Sequence, residues 1–395
     1  MSNYSKWFRI PKDIVFGWGC LAYLKEMEGQ RAVIVTDKVM QDLGFVEKVK
    51  GYLAEAGIES TVFDQVEPDP SRQTVMKGVE VMNQFQPDLI VGLGGGSSLD
   101  AGKAMWIFYE HPNVTWEEIF VPFTGVPKLR NKARFVAIPS TSGTATEVTL
   151  AAVITNRDVE PNVKDFTLSY ECTPDIAICD PELPSTMPPV ITANTGFDVM
   201  VHAVEAYVSR NASDITDPLA IKSTTMVFDW LPKAFADGTN KEAREKMHTA
   251  SLMAGFTFTN TALGLVHSTA HQIGAEYGIP HGRANAIMMP YVIQYNTAAA
   301  ASRYADLARA IGYEVKDAYD GTAKFLEAVR GLQKLLGIPA CIKETGVDEA
   351  DFLAKVDKLA ENAMKDGSTP PNPRVPSIQE VKNIFLCAYY GKEVI

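Results

Sequence analysis

Four of the chain's six histidines, His202, His267, His271 and His281, fall in one region, and that region constrains the fold more than any other. Asp198 and His202 sit four residues apart in an apolar run that reads as a helix, so carboxylate and imidazole share one face. His267 and His271 repeat the spacing in a second apolar segment, and His281 stands in a turn before a third. A carboxylate and an imidazole on one helix face, with further imidazoles arriving from separate segments, is how a divalent-metal site is built. Any one of these histidines alone reads more simply as an ordinary satisfied side chain. Together, with Asp198 in register, they favour a metal. His111 and His248 have no such company and read as structural or solvated.

A length of 395 residues accommodates two domains, each with its own core. The net charge of −11 argues against a nucleic-acid partner, which calls for a basic surface. Five scattered cysteines, Cys20, Cys172, Cys179, Cys341 and Cys387, form no Cys-x-x-Cys pair and suggest reduced thiols in the cytoplasm. The N-terminus lacks the apolar core of a signal peptide. No run of about 18 apolar residues predicts a membrane span.

Taken in order, the first half alternates strands and helices. A short extended piece at Ile14–Phe16 is followed by helical spacing over Leu21–Glu28, and Arg31–Val35 reads as a buried parallel strand ending at Thr36 and Asp37. A helix is expected from Val39 to Ala56, a strand at Ser60–Phe63, a helix from Val75 to Phe85 and a strand at Asp88–Leu93. Further strands are expected at Arg134–Ile138 and Asp175–Cys179. This alternation predicts an α/β domain with a parallel sheet. The proline cluster Pro181–Pro189 marks a boundary, beyond which only helical patterns occur. The expected division is therefore an α/β dinucleotide-binding domain over 1–186 and an all-helical metal- and substrate-binding domain over 187–395.

The third strand leads into Gly92-Leu-Gly94-Gly95-Gly96-Ser97-Ser98-Leu-Asp100. Glycines let backbone turn tightly and approach a ligand closely, and the following helix offers free N–H groups and its positive dipole end to a pyrophosphate. A bare strand-to-helix turn fits the same residues. In the usual dinucleotide fingerprint the acid follows the glycines by about 20 residues, whereas here Asp37 precedes Gly94 by 57. If the fold joins the two strand ends, Asp37 can accept from ribose hydroxyls and repel a 2′-phosphate, favouring NAD. Capping of the next helix is the competing role. The hydroxyl-rich run Ser140-Thr141-Ser142-Gly143-Thr144-Ala-Thr146-Glu147 is either a polar ligand lining or a capped loop.

Taken together, the Gly94–Asp100 run, the Ser140–Glu147 loop and the set Asp198, His202, His267, His271, His281 resemble the iron-containing alcohol dehydrogenases. The likeness spans nearly the whole chain. Met105–Pro112, Asn372–Arg374 and Tyr389–Gly391 are similar to the alcohol dehydrogenase half of the bifunctional aldehyde/alcohol dehydrogenases, which implies a stand-alone enzyme. The resemblance implies a Rossmann-like N-terminal domain joined to a helical one in the dehydroquinate synthase-like architecture. It assigns Asp198, His202, His267 and His281 to the metal, and Gly94, Gly95, Gly96, Ser97 and Asp100 to the pyrophosphate. It assigns Asp37 to the adenosine ribose and Thr141, Ser142, Thr144, Lys164 and Leu183 to further cofactor contacts. His271 is implied as a catalytic residue on a proton path. Asp69 stands where the family often has asparagine.

Ligand types alone suit Fe2+ and Zn2+ alike; the resemblance names iron. The expected reaction interconverts short-chain alcohols and aldehydes with NAD, the metal polarising the substrate oxygen and nicotinamide carrying hydride. Phe258, Ala262 and Leu263 suggest an apolar substrate pocket. The resemblance also implies a homodimer or larger homo-oligomer, associated through the N-terminal segment. Competing expectations are a zinc polyol dehydrogenase, a dehydroquinate-synthase-type lyase using an acidic ligand such as Glu205, and a nucleotide-binding regulator.

Overall fold

The structure, a computed structural model, describes residues 6–159 and 163–394. The chain divides into two compact units, Met1–Thr186 and Met187–Ile395.

The first unit is built on the strands β1 (Asp13–Phe16), β2 (Arg31–Val35), β3 (Glu59–Phe63), β4 (Leu89–Gly94), β5 (Arg134–Pro139), β6 (Ala151–Asn156), β7 (Val163–Leu168) and β8 (Ile176–Cys179). Six of them form one parallel sheet in the order β1-β8-β5-β4-β2-β3. Alternate residues of the β-branched runs point to opposite faces. Val33, Val35 and Ile90 enter one core, and Ala32, Ile34, Val91 and Leu93 the other.

The helices α1 (Lys38–Asp42), α2 (Phe45–Glu55), α3 (Arg72–Phe85), α4 (Gly96–Glu110) and α5 (Trp116–Ile119) connect the strands. The expected helix over Val39–Ala56 is broken in two because Gly44 takes φ 79°, a left-handed conformation natural to glycine. The expected helix at Leu21–Glu28 is a tighter 3-10 segment, Cys20–Glu26. Between Glu147 and Asp175, where the sequence pattern suggests no element, β6 and β7 pair as an antiparallel ribbon. Its strands mix apolar with charged and hydroxyl residues, Ala-Ala-Val-Ile-Thr-Asn and Val-Lys-Asp-Phe-Thr-Leu.

The second unit contains α6 (Pro189–Val208), α7 (Asp217–Ala236), α8 (Lys241–Thr261), α9 (Leu265–Tyr277), α10 (His281–Ala310), α11 (Ala318–Leu335), α12 (Glu349–Lys365) and α13 (Ile378–Tyr390), and no strand among the described residues. Helix α6 is apolar on nearly every side, and all but one residue from Thr192 to Val208 is buried. A helix hydrophobic all round belongs at the centre of a core, and α7, α8 and α10 pack around it. His281 is the first residue of α10 rather than part of a turn. That helix packs so closely on α6 that a Cβ at Gly282 would lie 2.1 Å from the Asn194 carbonyl oxygen.

Two outcomes follow from this packing. Gly282→Ala must push the start of α10 off α6, and urea unfolding of the full chain should show a loss of about 1–3 kcal/mol. Burial of His248 pushes its pKa down to about 4, below its unfolded value of about 6.5. The unfolded chain therefore binds the proton first, and this contribution to stability is lost as pH falls from about 6.5 towards 4. His248→Gln should flatten the pH dependence of unfolding over that window by about 3 kcal/mol.

Candidate functional site

In the first unit, parallel pairing brings together the residues that the sequence holds 57 positions apart. Val35 is in register with Gly92, so two residues further on Asp37 and Gly94 leave the sheet side by side. Strand β3 lies on one side of β2 and β4 on the other, which makes these carboxyl ends a topological switch point of the kind that holds ligands. Ser98 Oγ donates to Asp37 Oδ2 at 3.0 Å, while Asp37 Oδ1 accepts from the amides of Val39 and Met40. Asp37 thus caps α1, as one of its two expected roles required, and also touches the start of α4. Gly94 has φ +143°, and a Cβ there would fall 2.6 Å from Ser98 Oγ. Only glycine avoids both the strain and the collision.

The Ser140–Glu147 loop lies against the same turn. Gly94 pairs with Pro139, and the Ser140 amide donates to the Gly94 carbonyl at 2.8 Å. Cβ atoms built at Gly95 and Gly96 would meet Thr141 Cγ2 at 3.5 Å and Thr144 Cγ2 at 3.0 Å. Ser142 is buried within this loop. Lys103, one helical turn beyond Asp100 on α4, was not singled out by its sequence pattern. Its buried ammonium donates to the carbonyls of Thr146, Thr149 and Ala151 at 2.8, 2.8 and 2.9 Å, anchoring the end of the loop to the helix. Burial raises the pKa of Asp100 and lowers that of Lys103, and attraction between the two opposes both shifts. Lys164, on β7, pairs with Asp69 at 2.7 Å, and Asp69 takes a left-handed φ of 53°. The Leu183 side chain is fully buried in the sheet core that also holds Leu93 and Ile138.

In the second unit, α6 carries Asp198, His202 and Glu205, α9 carries His267 and His271, and His281 opens α10. Asp198 Oδ1 lies 4.0 Å from His202 Nε2, 3.8 Å from His267 Nε2 and 3.6 Å from His281 Nε2. One ligand atom from each of the four residues falls within 4.8 Å of all the others. His202 stacks between Phe258 and His267, with ring centroids 4.3 and 4.7 Å away. Asp198, His202 and His267 are buried, whereas the His281 side chain is 39% exposed and leaves the cluster a way to solvent. Burial first, and then the neighbouring His202, His281 and His271, hold the His267 pKa well below its ordinary value. The ring is therefore neutral and offers a lone pair. Three imidazole nitrogens and one carboxylate oxygen converging at this spacing suit a divalent cation in ligand type and number.

Asn285, Glu205 and Asp366 complete the surroundings of this cluster. Asn285 Nδ2 lies 2.7 Å from Asp198 Oδ1 and 3.1 Å from both His267 Nε2 and His281 Nε2. Glu205 lies 2.6 Å from His267 Nδ1 and accepts from two amides at the start of α9. Burial pushes the Glu205 pKa up to about 8, against the pull of those amides. His271 stacks on His281 with ring centroids 5.4 Å apart, and its Nδ1 contacts Asp366 Oδ2 at 2.7 Å. Burial opposes ionisation of Asp366, but His271 and Ser368 outweigh it and hold its carboxyl below the usual range. For Glu205 a signal was visible, since it lies seven residues after Asp198 on the same helical stripe. Asn285 lies four residues after His281 on α10, outside any motif of the sequence, and Asp366 is nearly a hundred residues from His271.

Comparison with known proteins covers both units. The model of the "Iron-containing alcohol dehydrogenase" family matches residues 11–181, and that of the "Fe-containing alcohol dehydrogenase family, C-terminal" matches residues 192–389. The chain is 49% identical over 388 residues to a protein of Clostridium saccharobutylicum named NADPH-dependent butanol dehydrogenase, over 98% of this chain and 99% of that one. It is 41% identical over 420 residues to the bifunctional aldehyde-alcohol dehydrogenase AdhE of Escherichia coli K12, covering 98% of this chain and 47% of that longer protein. A solved 1,3-propanediol oxidoreductase superimposes with TM-score 0.92 at 37% identity, over 98% of this chain and all of that one. An iron-containing alcohol dehydrogenase from Thermococcus thioreducens does so with TM-score 0.90 at 36% identity, over 98% and 100% of the two chains. Since family likeness runs through the sheet unit and the histidine-bearing unit alike, the chain belongs to the iron-containing alcohol dehydrogenases.

Proposed function

We propose that this alcohol dehydrogenase interconverts short-chain primary alcohols and aldehydes with NAD(H), and that Asp198, His202, His267 and His281 hold its Fe2+, with Zn2+ the alternative ion. The observation that carries this reading is the convergence of Asp198 Oδ1 with three Nε2 atoms. When bound, the ion supplies Lewis-acid polarisation of a substrate oxygen and the nicotinamide supplies the hydride chemistry. The protein's part is to position and to move protons. Phe258, stacked on His202, gives the cluster an apolar wall suited to a short aliphatic chain, in keeping with the butanol in the name of the Clostridium relative. His271, oriented by Asp366, carries a proton between the substrate oxygen and solvent.

For the cofactor, Gly94, Gly95, Gly96, Ser97 and Asp100 at the start of α4 receive the pyrophosphate, where free amides and the helix dipole favour an anion. Thr141, Ser142, Thr144 and Lys164 line its path, and Leu183 contributes backbone only. Asp37 accepts from the adenosine ribose hydroxyls. The name of the Clostridium relative specifies NADPH, but in this chain a 2′-phosphate would meet the Asp37 carboxylate, and like charges repel. A cytoplasmic homodimer completes the reading. Its support is the open sheet edge at β1 together with exposed Trp7, Phe8, Ile10 and Phe16, and light scattering on the purified chain tests it.

Chelation should abolish butanol-dependent NADH formation followed by absorbance, and Fe2+ should restore it; activity that survives complete metal removal overturns the metal assignment. Asp37→Gly should shift the ratio of kcat/KM for NADPH over NADH upward by roughly tenfold or more, equivalent to about 1.4 kcal/mol. An unchanged ratio would remove Asp37 from the ribose site. His271→Ala should lower kcat on the order of a hundredfold while metal content stays at the wild-type level.

A further inference from the structure

We propose that Glu205 is a positioning residue that holds His267 in the tautomer whose Nε2 lone pair faces the metal site. The inference rests on the metal assignment above and concerns which proton the protein places where. Its first support is Asn285. An ionised carboxylate oxygen only accepts, so the end of the Asn285 amide that lies 2.7 Å from Asp198 Oδ1 is the NH2 group. That nitrogen is also 3.1 Å from both His267 Nε2 and His281 Nε2, so with one hydrogen on Asp198 the other is shared between the two rings. A donor facing a ring nitrogen requires that nitrogen to carry the lone pair, and the single proton of a neutral imidazole then resides on Nδ1.

The other face of the ring makes the same demand independently. Glu205 Oε2 lies 2.6 Å from His267 Nδ1 and accepts from the Gly264 amide at 3.0 Å, and Oε1 accepts from the Val266 amide at 2.6 Å. The two backbone donors aimed at its oxygens favour the ionised form of Glu205, against the burial that opposes it, and so favour Glu205 as acceptor and His267 as donor. Glu205 sits at the N-terminal end of α9, where an anion is favoured, and a Cβ on Gly264 would lie 2.8 Å from Glu205 Oε1. Glycine at 264 therefore makes room for this carboxylate. A single side chain thus fixes both the entry of α9 and the protonation pattern of a histidine one turn into it. Carboxylates bound to the far nitrogen of metal-ligating histidines act in this way generally, and losing one weakens metal affinity by about 10–100-fold.

Glutamine at 205 cannot satisfy all three donors. Either its NH2 group opposes the Val266 amide, or it faces His267 Nδ1 and drives the proton to Nε2. Metal-stripped full-length protein is titrated with Co2+, following the ligand-field absorption bands, for wild type and Glu205→Gln, with circular dichroism to establish that each is folded. The expected result is a Co2+ dissociation constant raised about 10–100-fold in the variant. If folded Glu205→Gln binds within twofold of wild type, the role of Glu205 is overturned while the metal assignment stands; if wild type itself binds no Co2+, the metal assignment fails first. Should the variant not fold, 15N NMR of imidazole-labelled, metal-free wild type decides the matter, with the His267 signals assigned by their loss in His267→Gln. A proton on Nδ1 is expected, and a proton on Nε2 overturns the proposal.

Discussion

Lone pairs that converge in a protein interior repel one another and have left water to do so, and a helical core tolerates them only where surrounding groups dictate where every proton lies. The second unit meets that demand on α6. Its nearly all-apolar surface forces it into the centre of the bundle, carrying Asp198, His202 and Glu205 out of solvent. Asn285, arriving on α10, brings its NH2 group within 3.1 Å of Asp198 and two rings, and Glu205 of α6 faces the far side of His267. Gly282 and Gly264 permit the close approaches this needs, because a side chain at either would strike the Asn194 carbonyl or the Glu205 carboxylate.

The first unit solves a different problem, the delivery of polar groups to the carboxyl ends of a sheet whose central strands are mostly apolar and buried. Parallel strands end at the same side, so whatever follows β2, β4 and β5 is gathered there without special contacts. Asp37, the glycine turn and the hydroxyl loop are neighbours for that reason alone. Lys103 then binds the loop to α4 through three carbonyls, a task that water performs at the surface but that only a buried cation performs here.

The parts that could be anticipated were those with a local periodicity. β-branched runs of four to six residues became the sheet strands, and Asp198 and His202, four apart, came to share the space that α9 and α10 also reach. Where expectation and structure part, a single residue or a weak local pattern is responsible. Gly44 splits one helix into two by adopting positive φ. The β6–β7 ribbon is held by mutual antiparallel pairing and by the burial of Ala152 and Ile154, a short apolar stretch on one strand. His281 moved from a turn to the first position of α10, a helix that continues past Pro290 and bends at Ala300.

The chain by itself determined most of its elements and the residue types that could meet a metal or a dinucleotide, because periodicity and turn chemistry act over a few residues. It also carried a family likeness legible in its motifs. Tertiary structure alone decided which distant groups complete the sites: Asp37 against Ser98, Lys103 beneath the hydroxyl loop, Asp366 on His271, Glu205 and Asn285 on either side of His267. These contacts join residues separated by up to nearly a hundred positions. No spacing rule links such partners; they meet because burying apolar faces brings their helices and strands together, and buried polar groups must then find one another.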